Sequence, residues 1–223
     1  MGKIIVIEGT DCSGKETQAK LLVDRLKKEN RKIEKMSFPS YDSPTGKIVG
    51  GPYLGKKHLG EGVFPEGAAN VDAKVSSLYF AADRKYNIGS INELLNSGYD
   101  VLLDRYVESN MAHQGGKLKS KEERLKMYKW LDTLEYMLLE LPRPDLTIFL
   151  YMPYEYALKL REERNEPADE HEKSVEHLKN AEISYLELER LYQFQRIDCV
   201  KNKKIKTKEE IHEEVYSLVK KIV

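Results

Sequence analysis

Gly9-Thr10-Asp11-Cys12-Ser13-Gly14-Lys15-Glu16-Thr17 is the stretch that decides the fold. It follows Lys3 to Glu8, a short β-branched run stopped by glycine that reads as a buried strand. It opens Thr17 to Glu29, where Leu21, Leu22 and Leu26 recur at helical spacing. Gly-x4-Gly-Lys between a buried strand and an amphipathic helix has the spacing of a phosphate loop. The glycines let the backbone curl so that its N–H groups face phosphate oxygens. The helix N-terminus adds a partial positive charge, and Lys15 adds a full one. The competing reading is a glycine-rich turn that happens to contain a lysine, and the strand-to-helix placement argues against it.

One position departs from the pattern. A Ser or Thr normally follows the lysine and holds Mg²⁺; here Glu16 stands there and the hydroxyl comes one later, at Thr17. Three readings are open. Glu16 holds Mg²⁺ directly or through water, since carboxylate suits a hard cation. Alternatively Glu16 points away, and water, nucleotide and another acid hold the metal. In the third, the site binds nucleotide without catalysing.

Outward from the loop, short apolar runs alternate with longer amphipathic ones. Ile33 to Phe38 reads as a second strand ended by Pro39, and a Gly- and Pro-rich loop follows from Ser40 to about Asn70. Asp72 caps a helix to Asn96, with Gly98 just past its end. Asp100 to Asp104 is a third strand, Asp145 to Tyr151 a fourth and Phe194 to Val200 a fifth. Ser120 with Glu123 opens a helix to Glu140, and Thr207 with Glu210 opens the last helix. Tyr154 to Arg164 and Ser174 to Leu191 complete the helices. This alternation predicts an α/β fold with a five-stranded parallel sheet covered on both faces, its ligands at the carboxyl ends of the strands. The 223 residues fit one domain, 1–223.

Bulk composition narrows the partners. Lysine plus arginine and aspartate plus glutamate both total 37, so the formal charge is zero and no basic field for nucleic acid is indicated. Cys12 and Cys199 make no disulfide framework, no signal peptide is expected at the N-terminus, and no stretch approaches a membrane span. A cytoplasmic location is expected.

Glu8 to Lys15, Phe38-Pro39, Phe80-Ala81-Ala82-Asp83-Arg84, Asp104-Arg105-Tyr106, Ser109-Asn110 and His113-Gln114-Gly115 stand in the order seen in thymidylate kinases. The resemblance spans most of the chain. It implies a P-loop kinase fold, ATP with Mg²⁺, transfer of the γ-phosphate to dTMP to give dTDP and ADP in dTTP synthesis, and a homodimer. ATP would then lie on Gly9, Thr10, Asp11, Cys12, Ser13, Gly14, Lys15, Glu16 and Thr17. Asp11 resembles the family's acid near the sugar 3′-hydroxyl and acceptor phosphate. Phe80 and Arg84 are four apart and share a helical face, which lets a ring stack on the pyrimidine and a guanidinium meet a base carbonyl. Asp83 reads as structural, ordering an arginine.

Arg105 suits the acceptor phosphate because its planar fork matches phosphate oxygens. Asp104 beside it, with Glu16, is a candidate for Mg²⁺. Ser109, Asn110, His113 and Gln114 are implied in the dTMP site. Asn110, His113 and Gln114, if helical, share a face that can read base edges, the family placing a residue pair here at the thymine. Phe38, Pro39 and Tyr41 line the acceptor site. Relatives commonly carry Tyr at the position of His113. They often carry an arginine in the acceptor loop, but none occurs here between Arg31 and Arg84, and Lys47 is a poor substitute. The polar segment from about 161 to 173 looks like a short mobile lid, with Arg161 and Arg164 positioned to neutralise the transferring phosphoryl group.

Two rival readings share the chemistry. One is a kinase for another pyrimidine monophosphate such as dUMP, since a single methyl discriminates by only about 1–3 kcal/mol. The other is a non-catalytic nucleotide-binding protein, motivated by Glu16. A GTPase switch would want Asp-x-x-Gly after a later strand and Asn-Lys-x-Asp, and neither is present.

Overall fold

The computed structural model describes residues 2–10, 12–162 and 175–223. Asp11, Arg164 and the lid segment from residue 163 onward lie outside the described residues. Five strands, β1 (Ile4–Gly9), β2 (Ile33–Ser37), β3 (Asp100–Asp104), β4 (Leu146–Tyr151) and β5 (Gln195–Asp198), form one parallel sheet in the order β2-β3-β1-β4-β5. Successive side chains on a strand point to opposite faces. Ile4 and Val6 therefore enter one core with Val101, Leu103 and Phe149, while Ile5 and Ile7 enter the other with Leu102, Ile148 and Leu150. Every residue of β1 and β3 is buried, as expected of central strands covered on both sides.

One face is covered by α1 (Lys15–Lys28), through Leu22 and Leu26, and by the C-terminal helix, Lys208–Val219, through Val215 and Val219. The other carries α3 (Ala73–Asn96), α4 (Val107–Gly115), α5 (Lys121–Asp132) and α7 (Val175–Tyr192). Between α1 and α3 lies α2 (Pro44–Ile48), and between α5 and α7 lies α6 (Tyr154–Glu162); the C-terminal helix is α8. Fully burying one such Leu or Ile stabilises the fold by about 1.5–3 kcal/mol. Local signals place the helix starts. Asp72 Oδ1 accepts from the N–H groups of Lys74 at 2.9 Å and Val75 at 3.0 Å. Ser120/Glu123 and Thr207/Glu210 each close a reciprocal capping box.

Several expected boundaries move. The fifth strand stops at Asp198, and Val200–Lys201 pairs antiparallel with Lys204–Ile205 as a hairpin, β6 and β7. Asn202 and Lys203 both take positive φ, 50° and 61°, as a two-residue hairpin turn demands. The helix expected from Ser120 to Glu140 widens into π turns over Thr133–Leu138. The loop from Ser40 to Asn70 contains α2, capped by Ser43, and a π turn over Val49–Tyr53. Its far end is tied down by Lys117, whose ammonium donates to Ala68 O at 2.9 Å, Val71 O at 2.8 Å and Ser76 Oγ at 2.8 Å. Among the described residues no helix is long and apolar enough to cross a membrane.

Candidate active site

The loop between β1 and α1 is built around its glycines. Gly14 sits at φ 82°, directly before α1. At Gly9 a Cβ would lie 2.5 Å from Ser13 Oγ and 2.7 Å from Leu150 O, so no side chain fits. Thr10 Oγ1 donates to Met152 O at 2.7 Å and accepts from Met152 N at 3.2 Å, fixing the loop to the end of β4. Cys12 takes φ 57°, and Ser13 is buried. Lys15 is buried in the first turn of α1, with Nζ donating to Gly9 O at 3.0 Å and Thr10 O at 2.8 Å. Glu16 and Thr17 are exposed.

Beside this loop lies a cavity of about 370 Å³ at the carboxyl ends of β2 and β3. Glu16 lines it from α1; Phe38, Pro39 and Tyr41 line it after β2; Phe80 and Arg84 line it from α3. Asp104 and Arg105 close it at the end of β3, and Ser109, Asn110, His113 and Gln114 face it from α4. Segments remote in sequence thus converge, from α1, the ends of β2 and β3, α3 and α4. Arg161 stands in the last turn of α6 and is not among the described residues lining the cavity.

Arg84 is buried and its guanidinium grips the buried Glu135: Nε donates to Oε2, and Nη2 to Oε1 at 2.6 Å. Asn110 Nδ2 donates to Glu135 Oε1 at 2.8 Å and to Ser77 O at 3.1 Å. These two acceptors fix the amide orientation, leaving Asn110 Oδ1 as an acceptor. Asn110 Oδ1 and both amide atoms of Gln114 are buried without a partner among the described residues. Such groups are costly to leave unmatched, so they mark a surface shaped for a polar ligand edge. Phe80 is braced from behind by Tyr53, edge to face at 5.5 Å between centroids.

Arg105 adopts φ 67°, a strained conformation for a non-glycine residue and a common mark of functional positions. Its N–H donates to Ile7 O at 3.1 Å, and Nη1 donates to Ser109 Oγ at 3.3 Å and His113 Nε2 at 3.2 Å. A guanidinium only donates, so His113 Nε2 accepts and its proton sits on Nδ1. That proton is directed at His177 Nε2, 3.1 Å away, with the two rings nearly parallel. His113 therefore braces Arg105 as well as facing the cavity.

Glu8 organises the start of α4. Its Oε1 accepts from Tyr106 N at 2.8 Å and Ser109 N at 3.0 Å; Oε2 accepts from Ser109 Oγ at 2.6 Å and Tyr185 OH at 2.9 Å. A buried carboxylate at a helix N-terminus is matched by the helix dipole. Ser109, expected in the dTMP site, has its hydroxyl in this network. Among the described residues Asp83 orders no arginine. It accepts from Ser40 N at 2.8 Å, Ser43 Oγ at 3.0 Å and Thr45 Oγ1 at 2.8 Å, because the loop after Pro39 needs acceptors for its polar groups.

The sequence reading missed Glu8, Glu135, His177, Tyr185, and the cavity-lining Ser37, Leu54, Lys56 and Tyr106. Glu8 had a visible signal, a carboxylate closing an apolar strand. Glu108, on α4 beside Ser109, is pushed up to about 7 by burial first and by Glu8 second, although the Tyr136 hydroxyl donates to it. An acid raised from 4.5 to about 7 stabilises the fold fully below 4.5, and that contribution is lost as pH rises through 7. Glu108→Gln should remove that slope, raising melting temperature relative to wild type more at pH 8 than at pH 5. The differential is on the order of 3 kcal/mol, and parallel melting curves across that range would refute it.

Comparison with known proteins agrees on one family. Residues 7–215 match the family model described as thymidylate kinase. A thymidylate kinase of Schizosaccharomyces pombe is 30% identical over 221 residues, 99% of this chain and 93% of the relative. A probable thymidylate kinase of Methanocaldococcus jannaschii is 33% identical, covering 98% and 96%. The solved structure of thymidylate kinase from Candida albicans superposes with a TM-score of 0.75 at 25% identity, covering 99% of this chain and 92% of that one.

Proposed function

The chain belongs to the thymidylate kinase family, and from that premise we propose how its residues divide the work. It has the P-loop kinase fold and transfers the γ-phosphoryl group of ATP to dTMP, giving dTDP and ADP. The observation that carries the residue assignment is that Glu16 of the phosphate loop and Arg105 of the acceptor side line one continuous cavity.

Phosphoryl transfer needs positioning and charge neutralisation more than covalent chemistry. The loop Gly9–Thr17, with Asp11 in it, cradles the ATP phosphates. Lys15 leaves the carbonyl oxygens of Gly9 and Thr10 for the β- and γ-phosphates. Arg105 holds the dTMP phosphate in line. An oxygen of that phosphate attacks the γ-phosphorus as the bond to the ADP oxygen breaks. No general base is needed, because the acceptor oxygen is already ionised. Phe80 stacks on the thymine. Arg84, held by Glu135, donates to a base carbonyl, while Asn110 Oδ1 and Gln114 meet the remaining polar edge, which contains the N3–H donor. Asp11 meets the sugar 3′-hydroxyl, and Arg161 with Arg164 closes from the lid.

Glu16 and Asp104 face the same cavity, and no group of three or more His, Cys, Asp or Glu gathers among the described residues. One or two carboxylates completed by water and phosphate oxygens is the donor set Mg²⁺ prefers, so these two acids fit it. When bound, the ion would add positive charge that offsets the charge of the nucleotide phosphates. The chain works as a homodimer and a single domain in the cytoplasm. Val75, Leu78 and Tyr86, exposed apolar side chains at helical spacing on α3, support a dimer surface, and sedimentation at twice the chain mass would check it.

The decisive assay is ADP release with ATP, Mg²⁺ and a panel of dTMP, dUMP, dCMP, UMP and AMP. Turnover strongest with dTMP is expected; turnover with none, in folded protein that binds ATP, would defeat the reading. Phe80→Ala should raise KM for dTMP by roughly tenfold or more, one stacking contact being worth about 1–3 kcal/mol. An effect on KM for ATP alone would contradict the placement.

A further inference from the structure

Lys56 stands where no sequence motif pointed. The π turn Val49–Tyr53 packs without side chains at Gly50 and Gly51, where a Cβ would collide with Leu59 and, at Gly50, with Tyr41 as well. Gly55 then reverses the chain at φ 65°, in the manner of a helix C-cap. Lys56 N donates to Gly50 O at 2.9 Å, and Lys56 O accepts from Leu59 N at 2.8 Å and Gly60 N at 3.1 Å. The backbone of residue 56 is thus fixed on both sides. Its side chain is half-buried and lines the cavity, whereas Lys57 and His58 are exposed. The ammonium lies over the Tyr41 ring, 4.9 Å from its centroid, and that ring lines the same cavity.

Charge decides what this lysine is for. A nucleoside monophosphate brings about 1.5 to 2 negative charges at neutral pH. Arg84 is matched by Glu135, and Glu16 and Asp104 add negative charge to the walls. No arginine occurs between Arg31 and Arg84. We propose that Lys56, aimed by Gly55 and rested on Tyr41, is a second cation on the acceptor phosphate, opposite Arg105; this rests on the reading of the cavity as the dTMP site.

The test compares binding of dTMP and thymidine by calorimetry in wild type, Lys56→Met and Lys56→Arg, with KM for ATP measured alongside. Removing a charged contact to the phosphate should weaken dTMP about tenfold or more while thymidine and ATP are unchanged, and Lys56→Arg should restore most of the loss. Equal weakening of dTMP and thymidine would make Lys56 a staple of the loop and overturn the proposal, as would unchanged dTMP affinity. Wild-type protein that binds dTMP no better than thymidine would overturn the acceptor-site reading itself, and the Lys56 assignment with it.

Discussion

Lys15→Ala lowers kcat by about 10²–10³-fold or more, the scale found when one preorganised charge stabiliser is removed from a transition state. The ammonium is buried against Gly9 O and Thr10 O, inside the loop that curls towards phosphate, so its charge acts where water is scarce. Alanine is the best helix former and fits the first turn of α1, so the fold should survive. The measurement is kcat from coupled ADP release at saturating dTMP, with a melting curve as control. A kcat within tenfold of wild type, in protein of unchanged melting temperature, would remove Lys15 from the chemistry.

That residue was legible because its signal is local: a glycine spacing, a strand before it and a helix after it. The same holds for the sheet, whose strands are short apolar runs, and for the capping boxes at Ser120 and Thr207. Phe80 and Arg84 were legible as a pair because four residues make a shared helical face. Illegible features depend on contacts across long separations or on small departures from regular geometry. Glu135 looks like one more acid on a charged helix until the π turns bury both it and Tyr136. His177 and Tyr185 reach the site only because α7 packs on α4. The β6–β7 hairpin is too short and polar for an alternation signal, and its turn lies in the left-handed conformation of Asn202 and Lys203. Lys56 has no motif at all; a π turn and Gly55 bring it to the cavity.

Glu135→Gln destabilises the protein by about 3–5 kcal/mol, because it strands a buried guanidinium. Arg84 and Glu135 are both essentially excluded from solvent. Burial alone would push the arginine down, yet the charge and hydrogen bonds of Glu135 hold it above its ordinary value. The glutamine keeps the shape but offers one neutral acceptor where two charged oxygens stood, and its amide nitrogen would oppose either Arg84 or Asn110. At this chain length the loss corresponds to a fall of about 10 °C in melting temperature. Replacing both partners, Arg84→Met with Glu135→Leu, should recover most of that stability while abolishing recognition of the base, since the charge no longer needs a partner and the base carbonyl no longer has a donor. Near-wild-type melting for Glu135→Gln would mean that water reaches Arg84. Retained dTMP affinity in the stable double variant would show that the buried pair serves the fold and not the base.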